Sequence, residues 1–388
     1  MNISILGGGI GGLSTAIALK QAGFDVSIYE RQSTPSERGA GIVCWPNASF
    51  ILEQLGILDK ISNVSGSIKF MNRFTNTGES IGSLDISELN RLMKYPSYSI
   101  IRKDLMKILI QCTVELNINI YYDHEVIKIS NENTNTEVQF SNSKVIQPDI
   151  IIGADGRMKS LARKYVNGSN SPIYQGFINW VGVIEDESMN FSELSVSDYW
   201  GVGERFGIVP VSQTKAYWAG GATSKNIAEL NPVKYKSELN SIFRDWPDII
   251  TKVINGTHQS RLNKIYVHDH DPINLWHKNN LILLGDSAHS PLPTSGQGAC
   301  QALEDAWHLT NCLKESPNDI SKAFNFFTEL RKSKTAGITL GGRQLASSIF
   351  NNNEEFCKHR NIASKNTNYQ NTVVGMANGW SSGLPIST

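Results

Sequence analysis

Near the start of the chain, Gly7-Gly8-Gly9-Ile10-Gly11-Gly12 places glycine at all three positions of the pattern G-x-G-x-x-G. One glycine of such a turn permits the tight bend. The next lets backbone approach a pyrophosphate, and the third allows close packing of the following helix. That helix offers free N–H groups and the positive end of its dipole to phosphates. Glu30 stands 18 residues past Gly12, where a carboxylate can accept hydrogen bonds from ribose hydroxyls. Together these residues predict a dinucleotide site; the competing reading is a glycine-rich turn with a solvated glutamate.

The elements needed to hold this turn are legible around it. Asn2 to Leu6 reads as a buried strand, Leu13 to Ala22 as a helix and Val26 to Tyr29 as a second strand. Such a βαβ unit implies a parallel sheet. An amphipathic helix is predicted over 102–112, then a strand over 118–122 and a meander near 137–140 after an Asn/Thr-rich turn at 131–136. Asp149 to Ile152 enters the loop Gly153-Ala154-Asp155-Gly156, and Leu281 to Leu284 enters Gly285-Asp286. Between about 173 and 280, short β-like runs surround one helical stretch near 232–254, which predicts an antiparallel sheet partly covered by helix.

The expected fold is therefore α/β: a Rossmann-like domain over 1–75, 100–172 and 280–330, and an inserted antiparallel-sheet domain over 76–99 and 173–279. A helical segment over 331–388 follows, with an Asn- and Ser-rich last stretch expected to be partly mobile.

Composition excludes several function classes. Lys+Arg and Asp+Glu both total 36, so no basic excess directs the chain to nucleic acid or an anionic membrane. No apolar run reaches membrane-spanning length, and the N-terminus reads as a strand rather than a signal peptide. Five dispersed cysteines fit reduced, packed thiols, so a cytoplasmic location is expected. His268-Asp269-His270-Asp271 invites a metal reading but lacks further ligands at helical spacing, so no metal is expected.

Two later segments point to one cofactor. Gly153-Ala154-Asp155-Gly156 with Ser160 and Arg163 resembles the "DG" motif of class A flavin monooxygenases. Leu284-Gly285-Asp286-Ser287-Ala288-His289, followed by Pro293 and Gly296-Gln297-Gly298, resembles their "GD" motif, and Arg102, Leu105 and Leu109 match their R-x-x-L-x-x-x-L helix. The resemblance runs in family order from Met1 to about Lys334. It implies FAD, with Gly7, Gly9, Gly11, Gly12, Glu30, Arg31, Arg102, Val126, Asp155, Asp286, Gly296, Gln297, Gly298 and Ala299 as cofactor-binding positions. It also implies NADPH or NADH as reductant, and O₂ as the source of one oxygen atom delivered through a flavin C4a-hydroperoxide.

Within that family the chain is similar to FAD-dependent urate hydroxylases and salicylate-hydroxylase-like proteins, through Trp45-Pro46-Asn47, Phe177-Ile178-Asn179-Trp180, and Arg205 followed by Pro210-Val211-Ser212 and Tyr217. By this likeness Asn179, Arg205 and Tyr217 are the catalytic candidates, lining the substrate side of the flavin and suited to a small aromatic or N-heterocyclic compound. Two departures stand out. One extra residue separates Gly156 from Ser160, and Thr294 replaces the acidic residue that urate enzymes carry. The same fold inactivating an antibiotic such as a tetracycline, and a non-enzymatic FAD-binding protein, stay open as alternatives; a monomer or homodimer is expected.

Overall fold

The computed structural model describes residues 1–35, 39–132, 135–191 and 193–386. Its central layer is a six-stranded sheet in the order His277–Lys278, Leu281–Leu283, Ile150–Gly153, Asn2–Leu6, Asp25–Tyr29, Asn119–Tyr121. All neighbours are parallel except the antiparallel outer strand His277–Lys278. Ile3, Ile5, Ile150 to Ile152 and Leu281 to Leu283 are buried, as strands covered on both faces require. Leu6 pairs with Gly153 and with Tyr29, and Gly153 pairs with Leu283. The turn at Gly7, Glu30, the loop after Gly153 and the loop after Leu283 therefore leave the sheet along one edge. That edge is the carboxyl end of the strands, where open α/β sheets bind ligands.

A seven-stranded sheet forms the second layer, ordered Asn263–Asp269, Ile173–Glu185, Lys215–Thr223, Glu204–Pro210, Val196–Trp200, Phe70–Thr75, Ser80–Asp85. Its only parallel pairing among the described residues joins Val196–Trp200 to Phe70–Thr75. Phe70–Thr75, placed with the first domain by the sequence reading, is thus hydrogen-bonded into the second sheet. One face of that sheet carries Trp180, Phe206 and Trp218 against Leu239, Phe243 and Ile250. The single helical stretch expected there is two helices, Tyr235–Phe243 and Asp248–Gly256, because Pro247 has no N–H to extend the first. The expected meander is Val126–Glu132, Asn135–Phe140 and Val145–Ile146; the middle of its Asn/Thr-rich turn, residues 133–134, lies outside the described residues.

The Asn-rich end, expected to be partly mobile, is helical. After the 30-residue helix Ile320–Ile349, Asn353 accepts from the Phe356 amide and Asn368 from the Asn371 amide. These asparagines read as coil formers, yet they are the N-caps of Glu354–Lys365 and Tyr369–Ser381.

The helix Gly298–Glu315 packs against the helix Ile10–Gln21 and the long helix Ile320–Ile349. Its His308 is 4% exposed and faces Gly383 of the C-terminal turn. Burial and the nearby Arg331 cation push its imidazole down to about 4. Because the folded value lies below the ordinary 6.5, the unfolded chain binds the extra proton between these limits. Stability from neutral His308 is complete above pH 6.5 and is lost as the pH falls toward 4. His308→Gln is expected to flatten the pH dependence of urea unfolding between pH 7 and 4.5 by on the order of 3 kcal/mol. An unchanged slope would remove His308 as its source.

Candidate functional site

Gly7 has φ +114°, and a Cβ there would lie 2.3 Å from the Ala154 carbonyl oxygen. A Cβ on Gly12 would lie 2.0 Å from the Gly7 carbonyl oxygen, whereas one on Gly9 would meet nothing within 4 Å. The turn is thus compressed against protein at Gly7 and Gly12 and open at Gly9. Gly11 packs on Leu284 and Ala302. Glu30 accepts from the Gly8 amide at 2.7 Å and the Gln32 amide at 2.9 Å, so it braces the turn from the neighbouring strand.

Gly7, Gly8, Gly9 and Glu30 line a cleft of about 460 Å³ that also takes in Arg31, Arg102, Val126 and Asp155, while Gly11 and Gly12 lie behind it. Tyr122, His124, Met106 and Ile120 complete its walls. The sequence reading did not single them out, since a wall of this kind has no local motif. Arg102 lines the cleft with its side chain against Gly39; burial lowers the pKa of its guanidinium, and the nearby Asp286 carboxylate offsets part of that.

Asp155 accepts from the Ser160 hydroxyl and, at 3.1 Å, the Ala162 amide, and loss of solvent pushes its carboxyl up to about 6. Ser160 caps the helix Leu161–Asn167 through the Arg163 amide. The Arg163 side chain donates to the carbonyls of Ser287 and Ala288, both at 3.0 Å, and of Asp271 at 3.1 Å. Arg163 thus fastens the two motif loops together.

Beyond Asp286, Gly296 has φ +63°, and its carbonyl accepts from Trp45 Nε1 at 3.0 Å. Gln297 is buried, and Gly298 and Ala299 open the helix. Thr294 donates to the Gly342 carbonyl of the long helix at 2.9 Å.

The substrate candidates divide into two groups. Asn179 and Arg205 flank Gly221 from opposite sides in the same row of the sheet. A Cβ on Gly221 would lie 2.6 Å from Asn179 Oδ1 and 2.8 Å from Phe350 Cζ, so the glycine admits the Phe350 ring over that row. Phe350 in turn stacks on Phe177, with ring centroids 4.1 Å apart. Arg205 is held bidentate by Asp198, at 2.6 and 3.1 Å. Asp198 is 3% exposed and also accepts from Trp200 Nε1 at 2.9 Å. Tyr217 lies four residues from Gly221, roughly 13 Å along the strand. There it covers Gly41 of the first domain so closely that a Cβ would lie 2.0 Å from its ring. Burial pushes its phenol well up, as do the Cys44 and Cys300 thiols close by. Asp198 and Phe350 were missed by the sequence reading, for neither sits in a motif.

The histidines of the His268–Asp271 run bond to backbone carbonyls, of Tyr266 and Arg157, and Asp269 is occupied by Arg343 at 2.6 and 2.9 Å. Among the described residues no group of three or more His, Cys, Asp or Glu is placed to hold a metal, and no helix is long and apolar enough to cross a membrane. All five cysteines are buried free thiols.

A family model described as "FAD binding domain" matches residues 1–319. The chain belongs to this FAD-binding family. It is 28% identical over 348 residues to the FAD-dependent urate hydroxylase of Mycolicibacterium vanbaalenii, covering 89% of this chain and 87% of that protein. It is 32% identical over 313 residues to the aurachin C monooxygenase/isomerase of Stigmatella aurantiaca, covering 81% and 80%. Among solved structures, Klebsiella pneumoniae HpxO complexed with FAD and uric acid shares the fold at TM-score 0.90 and 24% identity, over 99% of this chain and 97% of that one.

This member of the FAD-binding family is an FAD-dependent monooxygenase. The residues present fit the cofactor. The backbone at Gly9 faces open space, the cleft runs from Glu30 to Asp155, and a buried side-chain amide nitrogen of Gln297 has no protein partner.

Proposed function

We propose that this enzyme uses NADH or NADPH and O₂ to hydroxylate a small, planar N-heterocyclic or aromatic substrate carrying a polar or anionic edge. The observation that carries this reading is the Asn179–Arg205 row, whose sheet reaches the first domain where Tyr217 covers Gly41. Kinship to proteins named as urate hydroxylases supports the substrate class.

Bound FAD supplies the redox and oxygen chemistry; the protein binds, orients and excludes water. In this reading Gly7, Gly9, Gly11 and Gly12 receive the pyrophosphate, Glu30 and Arg31 the adenosine side, and Val126 a wall of the cleft. Arg102, Asp155, Asp286 and the segment Gly296 to Ala299 hold the ribityl and ring end. Asp198 fixes Arg205 Nε and one terminal nitrogen, so the guanidinium meets the substrate without an entropic search. Asn179 supplies an amide for a ring heteroatom, and Tyr217 closes the junction between the layers. With Thr294 tied to Gly342, no carboxylate stands at that position to activate the substrate.

A screen for substrate-stimulated NAD(P)H oxidation tests the reading, with urate, 6-hydroxynicotinate, salicylate and a tetracycline as candidates. Stimulation by one of the three small rings is expected. No stimulation with either nucleotide would overturn the proposal, and stimulation by the tetracycline alone would transfer it to a larger substrate. Asp198→Asn is expected to raise KM for the stimulating compound roughly tenfold by releasing Arg205, without changing flavin content. An unchanged KM would detach Arg205 from substrate recognition.

A further inference from the structure

From Gln297 of the Gly296–Ala299 segment a buried polar chain runs back to Asn47, Gln301, Glu304 and Arg331, none of which belongs to the cofactor motifs. Glu304 stands at its centre, 0% exposed. Its Oε2 accepts from Arg331 at 2.5 Å and from Lys334 at 2.8 Å. Its Oε1 accepts from Asn47 Nδ2 at 2.6 Å and from Gln301 Nε2 at 2.9 Å. Burial works against the charge on Glu304, but Arg331 and Lys334 overcome it and hold the carboxyl below its usual range.

An ionised carboxylate only accepts hydrogen bonds. Asn47 and Gln301 must therefore turn their NH₂ groups toward Glu304. The same two nitrogens also lie 2.9 Å from Gln297 Oε1, so Gln297 must present its oxygen to them. Its Nε2 is thereby turned the other way, buried and without any protein acceptor. Gln297 is 1% exposed and stands between Gly296 and Gly298, in the segment that the proposed function above assigns to the ring end of FAD, and the inference rests on that reading. A buried N–H left unpaired is costly and calls for a partner.

We propose that the Gln297 side chain donates a hydrogen bond to bound FAD, and that Glu304 is the positioning residue fixing its direction through Asn47 and Gln301. Arg331 and Lys334 keep the relay in one polarity by keeping Glu304 charged. Without that charge, an amide at position 304 could donate as well as accept, and each amide of the chain could reverse.

The test is reconstitution of the full-length apoprotein with FAD, followed by flavin fluorescence and by the melting temperature with and without FAD. Gln297→Met removes the donor and is expected to weaken FAD binding about tenfold. The melting temperature of the apoprotein should change much less than the increment FAD adds. Glu304→Gln keeps the shape, removes the charge and is expected to weaken FAD similarly. The double variant should be little worse than either single one, because both act on the same bond. Should Glu304→Gln not fold, Asn47→Leu interrupts the same relay and takes its place. Wild-type FAD affinity and an unshifted flavin absorption band in Gln297→Met would overturn the proposal and leave the nitrogen to a buried water. Additive losses in the double variant would overturn the relay.

Discussion

Gly12→Ala is expected to purify colourless, with flavin content after dialysis below about a tenth of the wild-type value. The added Cβ would lie 2.0 Å from the Gly7 carbonyl oxygen and 3.1 Å from its carbon. Both are backbone atoms, so no side-chain rotation relieves the contact. Gly7 cannot retreat, because its φ of +114° already places it against the Ala154 carbonyl. The turn must therefore open, and the N–H groups that converge on a pyrophosphate diverge. The disturbance is confined to the turn and the first turn of the helix Ile10–Gln21, so the far-ultraviolet circular dichroism should be largely retained. Gly9→Ala is the informative companion. Its Cβ meets no protein atom within 4 Å, so any loss of FAD there reports the cofactor alone. A fully yellow Gly12→Ala protein would be incompatible with this site.

Arg331→Met is expected to produce the largest loss of stability, about 3–5 kcal/mol in chemical unfolding. Arg331, Glu304 and Asp305 are all 0% exposed. The guanidinium donates to Asp305 at 2.7 Å, to Glu304 at 2.5 Å and to Gln301 Oε1 at 2.6 Å. A methionine fills much of the volume, so the loss measures uncompensated charge more than a cavity. Asp305 would keep His289 at 2.6 Å and the Gly285 amide at 2.9 Å, and Glu304 would keep Lys334, but three charges would be left out of balance in a dry interior. The exposed pair Lys60–Glu115 has the same formal chemistry, at 2.9 Å. Lys60→Met should leave stability within error, since solvent screens that pair. Equal losses in the two variants would contradict the role given to burial.

Legibility in the sequence followed the range of the physical constraint. Gly7 to Gly12, Glu30 and Asp286 could be singled out as candidates because each requirement is local: a backbone conformation, a close approach, a carboxylate at a strand end. Pro247 and the caps Asn353 and Asn368 were equally local in cause, but an asparagine marks a cap as readily as a loop until the helix behind it is known. Phe70–Thr75 forms a local hairpin with Ser80–Asp85, but the sheet that hairpin joins could not be assigned from its own residues, because the strand it docks on, Val196–Trp200, lies far along the chain.

By itself, then, the sequence determined the FAD-binding βαβ unit, the order of the motif loops and the family. Those depend on the backbone needs of a few glycines and on strand periodicity, which a linear chain displays. Only the tertiary structure decided that Asp198 grips Arg205, that Phe350 lies over Gly221, that Arg163 joins the two motif loops and that Asn47 and Gln301 link Glu304 to Gln297. Each of these depends on strand register or on a helix returning from far along the chain, and a slip of one residue would turn the side chain to the opposite face.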